Sequence, residues 1–85
     1  MVLYYLIICR SLTYAQRTAR LLERGGIGSY VMRTPKSISQ EGCNYCVRIK
    51  ENRLPDALKL LQRENMGPKQ IYLQSSDGAY QEVAS

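Results

Sequence analysis

Residues 2–9 read VLYYLIIC, apolar at nearly every position and rich in β-formers. Such a run suits a strand buried on both faces, because alternation disappears when neither side meets water. It falls well short of the roughly 20 residues needed to cross a bilayer. No basic leader precedes it and no small-residue cleavage site follows it. The run is therefore expected inside a folded domain in a reducing, cytoplasmic compartment, and the rest of the chain must pack around it.

Downstream of this strand the pattern changes period. Ser11 or Thr13 offers a helix N-cap, and Thr13 with Gln16 has capping-box spacing. Leu12, Ala15, Ala19 and Leu22 fall on one helical stripe, with Arg17, Arg20 and Arg24 on the other side. Gly25-Gly26 stops the helix. Residues 29–34 (SYVMRT) read as a second strand, and 35–42 (PKSISQEG) as a polar loop. Tyr45, Val47 and Ile49 alternate with Cys46, Arg48 and Lys50, the mark of a third strand. Asn52 is placed to cap a second helix, with Pro55 in its first turn and Leu54, Ala57, Leu58 and Leu61 on its apolar face. Gly67-Pro68 ends that helix, and residues 69–75 (KQIYLQS) form the last strand.

The order β-α-β-β-α-β predicts an α+β, ferredoxin-like split βαβ sandwich. Its antiparallel sheet would run 4-1-3-2 with two helices on one face. One domain is expected over residues 1–75, with 76–85 as a polar, frayed tail. A chain of 85 residues buries modest area, so help from a second copy as a homodimer is a natural expectation.

That topology brings the end of strand one, the start of strand three and the start of helix one to the same pole. Cys43 and Cys9 should lie there, with Arg10 and Lys36 close by. A helix N-terminus and nearby cations favour a thiolate, which is itself the nucleophile. Cys43 could thus attack sulfur or selenium donors although the chain contains no histidine to serve as general base. Cys43 and Cys46 form a Cys-x-x-Cys, which makes Cys46 a candidate resolving thiol. The motif leads into a strand, where extended chain carries the two sulfurs apart. Three cysteines and no histidine fall short of the four ligands of an ordinary zinc site, so no metal and no cofactor is expected. The alternative is a dimeric interaction or regulatory module in which the cysteines only pack.

A formal charge of +5 favours anionic partners without naming one. Strand one is apolar at both parities and would present apolar groups to the sheet face without helices. A dimer burying that face is preferred over single-stranded RNA, because strand three lacks the aromatic cluster of RNA-binding sheets.

Thr34-Pro35-Lys36-Ser37-Ile38-Ser39, followed by Gly42-Cys43-Asn44, resembles the selenium/sulfur carrier-like family of small bacterial proteins. The resemblance extends from Tyr4-Tyr5-Leu6 through Ser11-Leu12-Thr13 and covers nearly the whole chain. Asn44 stands where the family pattern has glycine; asparagine also tolerates positive φ. The resemblance implies a ferredoxin-like domain carrying sulfur or selenium on Cys43 between a donor and an acceptor protein, a relay rather than a turnover enzyme. Arg10 and Lys36 would stabilise the bound anion, with Ser37 and Ser39 as hydrogen-bond donors.

Overall fold

The structure is a computed structural model that describes residues 3–39 and 44–83. It is α+β: two helices and five antiparallel strands in one sheet. The strands are β1 (Tyr4–Cys9), β2 (Tyr30–Arg33), β3 (Tyr45–Lys50), β4 (Ile71–Gln74) and β5 (Tyr80–Val83). The helices are α1 (Leu12–Arg24) and α2 (Leu54–Arg63), the second entered through a 3₁₀ turn at Glu51–Arg53.

β1 pairs with β3 on one side and β4 on the other. With neighbours on both edges and cover on both faces, Leu6 is 0% and Ile7 only 2% exposed. That explains why the β1 sequence lacks alternation. Ile7, Cys9, Val47 and Ile49 point to one face, where they pack with Ala15 and Leu22 of α1 and Ala57 and Leu61 of α2. Leu6, Ile8 and Cys46 point to the other face and form a second, smaller cluster with Met32, Ile38, Tyr72 and Tyr80.

The sheet order is β2-β3-β1-β4-β5, where four strands in the order 4-1-3-2 are expected from the sequence. The difference lies in residues 76–85, read above as a frayed tail. Tyr80–Val83 instead pairs with β4, from Gln74↔Tyr80 to Ile71↔Val83. The cause is an Asp-Gly turn. Gly78 takes φ +88°, which glycine adopts without strain, and its N–H donates to Ser75 O at 3.0 Å. Asp77 Oδ1 accepts from the Ala79 N–H at 3.0 Å, and the Ser75 N–H donates to Ala79 O at 2.9 Å.

The structure chooses between the two α1 cap candidates and changes the α2 cap. Ser11, not Thr13, caps α1: its backbone is extended and its Oγ accepts from the Tyr14 N–H at 3.1 Å. Thr13 lies inside the helix. Asn52 falls in the 3₁₀ turn, and Arg53 occupies the α2 cap position without a side-chain cap bond. Replacing Ser11 by alanine removes the α1 cap and should cost about 1 kcal/mol. A fall in melting temperature of roughly 4–8 °C, read by circular dichroism, is the expected result.

Candidate functional site

The pole expected to carry the chemistry is where β1 ends at Cys9 and β3 begins at Tyr45, the two being register partners. β2 ends there too, with Arg33 opposite Tyr45. The chain leaves β2 through Thr34, whose N–H donates to Asn44 O at 2.9 Å, closing the neck of the β2–β3 connection. Beyond the neck, the Ile38 N–H donates to Pro35 O at 3.1 Å, and Ser39 Oγ hydrogen-bonds Asn44 Oδ1 at 3.3 Å. Cys43, the expected carrier thiol, lies outside the described residues.

The two described cysteines sit on opposite faces of the sheet. Cys9 is 1% exposed in the helix-side core, where its thiol donates to Ile7 O at 3.5 Å. Cys46, expected as a resolving thiol, is 0% exposed, packed with Leu6, Ile8, Met32 and Ile38. Ile38 is the apolar residue of an otherwise polar connection, and it folds onto this cluster. Burial pushes the Cys46 thiol up; the Thr34 hydroxyl and the Arg48 charge pull it partway back. The Thr34 Oγ1 is itself buried, without a hydrogen bond of standard geometry among the described residues.

Two consequences follow for Cys46. Its alkylation should be much slower than that of an ordinary thiol, since the thiolate is disfavoured and access is closed. Its raised folded-state pKa also makes the native state hold this proton more tightly than the unfolded chain does. The associated stability is complete below the unfolded thiol pKa of about 8.5 and is lost as pH rises through the folded value. Urea unfolding at pH 7 and pH 9.5 should show a loss of stability at the higher pH that shrinks in Cys46→Ala.

The expected anion-binding residues divide between two places. Arg10 is exposed, with its guanidinium carbon 4.8 Å from the centre of the Tyr14 ring. Both line a cavity of about 410 Å³ with Ile8, Lys69 and Gln70, on the β4 side of β1. Lys36, Ser37 and Ser39 belong to the β2–β3 connection, on the β3 side. Lys36 and Ser37 are exposed, whereas Ser39 is half-buried. Lys69, a cation beside Arg10, was not among the expected residues; the Gly67-Pro68 helix stop just before it was the available signal.

Among the described residues no cluster of three or more metal-ligating side chains forms, and no helix is long and apolar enough to cross a membrane. No curated protein and no solved structure matches the chain. The family model described as "Putative Se/S carrier protein-like" does match, over residues 4–73, from the first residue of β1 into β4. The chain belongs to that family.

Proposed function

We propose that the protein carries sulfur or selenium on Cys43 and passes it between partner proteins. The observation that carries this reading is family membership over residues 4–73, taken with the burial of the other two cysteines. Cys9 and Cys46 are enclosed on opposite faces of the sheet, which leaves Cys43 as the thiol to which carriage can be assigned.

In the loading step the Cys43 thiolate attacks the outer sulfur of a donor persulfide. The S–S bond of the donor breaks, the donor sulfur leaves as a thiolate, and Cys43 becomes a persulfide. In the delivery step an acceptor nucleophile attacks the outer sulfur and the Cys43 thiolate leaves. The sulfur moves at its own oxidation level, so neither step needs an external oxidant or reductant. Lys36, in the same connection as Cys43, is the cation assigned to the persulfide anion. Cys46 is assigned a packing role in this cycle, in keeping with its burial.

The same reading includes a reducing, cytoplasmic setting, in which thiols persist. It also includes a ferredoxin-like core. The adjacency β2-β3-β1-β4 supports that core, being 4-1-3-2 read from the other edge, with β5 added outside β4. Incubating the protein with a small-molecule persulfide donor and weighing the intact chain tests the function. A gain of one sulfur atom, mapped by peptide digestion to Cys43, is expected. Loading confined to other positions would refute the assignment.

A further inference from the structure

The pole of the sheet opposite the β2–β3 connection carries a second constellation. By strand register, Tyr30 lies beside Arg48, and Lys50 lies beside Tyr4. All four point to the face without helices. The Arg48 guanidinium carbon stands 4.4 Å from the Tyr4 ring centre and 5.2 Å from that of Tyr30, so the cation lies between two aromatic faces. The register extends the aromatic row. Tyr4 is opposite Gln74, which is opposite Tyr80, and Arg48 leads through Leu6 to Tyr72. Tyr4, Tyr30, Tyr72 and Tyr80 thus share one face, with Arg48 of β3 between Tyr30 and the others, on strands spaced about 4.8 Å apart.

A cleft of about 370 Å³ opens beside Arg48, bordered by Tyr4, Tyr30, Lys50 and Arg53. Its described lining holds three cations and no carboxylate. Arg53 is partly engaged, 3.6 Å from Asp56 and 3.4 Å from Gly26 O. Arg48 makes no ion pair with a carboxylate among the described residues; its guanidinium lies against the two rings, and its charge also reaches Cys46. Tyr30 is 59% exposed at the β2 edge, a large aromatic surface held in water.

We infer that this face binds single-stranded nucleic acid, with bases stacked on Tyr30 and Tyr4, whose rings Arg48 holds in place, and phosphates on Lys50 and Arg53. Charge complementarity selects the occupant, because the lining holds three cations and no carboxylate, and only Arg53 is partly offset, by Asp56 outside the lining. Stacking selects the single strand, because flat aromatic faces need unpaired bases. The aromatic of the third strand, Tyr45, packs on the helix side, but register shows that β1, β2, β4 and β5 supply rings to this face and that Arg48 of the third strand sits between two of them. This inference is independent of carriage on Cys43.

Fluorescence anisotropy with a labelled oligouridine about a dozen nucleotides long tests it. Binding is expected at about 50 mM salt, with a log–log salt slope of about −1.4 for the two cations on phosphates. Tyr30→Ala should weaken binding by roughly 5- to 100-fold, the loss of one stacked base, while Tyr30→Phe keeps it. Arg48→Lys should weaken binding with little change of salt slope. Cys43→Ser should bind as the parent does. Absence of binding at that salt overturns the inference, as it would if an acidic protein were the occupant. Equal affinity for a matched duplex also overturns it. So does a loss in Arg20→Ala, on the outer side of α1, as large as that in Tyr30→Ala. Should Tyr30→Ala melt early, the Tyr30→Phe and Arg48→Lys pair decides alone.

Discussion

Changing Cys43 to serine abolishes persulfide loading, the largest functional effect expected of any single substitution in this chain. A serine hydroxyl is not ionised at neutral pH and does not form a stable equivalent of a persulfide, so both loading and delivery disappear. The other thiols do not substitute. Cys9 and Cys46 are 1% and 0% exposed, and burial raises the Cys46 pKa further. Intact-mass measurement after treatment with a persulfide donor should show the parent gaining sulfur and the variant staying at its own mass. Because the change is nearly isosteric, the melting temperature should move little. Undiminished loading in the variant would remove Cys43 from the mechanism and with it the proposed function.

The largest effect on stability is expected at Leu22. This side chain is 0% exposed and belongs to the core that joins α1, α2 and the sheet. Truncation to alanine loses transfer free energy and leaves a cavity, about 2–5 kcal/mol in comparable sites. At roughly 0.05–0.15 kcal/mol per residue, a chain of 85 residues has about 4–13 kcal/mol in total. The variant should therefore approach unfolding at the lower end of that range. Leu12 provides the control: it lies on the same helix but is 40% exposed, so Leu12→Ala should cost under about 1 kcal/mol. Urea titration of both variants checks the contrast. Equal midpoints would mean that α1 is not held to the sheet as described.

Elements with strong periodicity were legible from the residues alone. β1 declared itself by unbroken apolarity, α1 and α2 by their apolar stripes, and β3 by alternation from Tyr45 to Lys50. β5 was missed because its middle, Gln81-Glu82, is polar and only its ends, Tyr80 and Val83, are apolar. The Asp77-Gly78 pair was the legible clue, since such a dipeptide between β-forming segments signals a hairpin. Ile38 gave no warning of its role. A lone apolar residue in a polar loop has no periodic partner, and only tertiary structure brings it onto Cys46. The Tyr30–Arg48–Tyr4 stack was hidden for a related reason: composition lists the tyrosines, but which ring meets which cation depends on strand register.

The side to which each described sulfur points governs what oxidation can do to the molecule. Cys9 and Cys46 stand on adjacent strands, one residue out of direct opposition, yet the hydrogen-bonded backbone lies between their side chains like a partition. Joining them would mean unzipping β1 from β3, the centre of the architecture. Oxidative stress therefore has no inexpensive route to an internal cross-link between this pair. These two strands therefore stay free of a bridge between their own sulfurs when conditions turn oxidising.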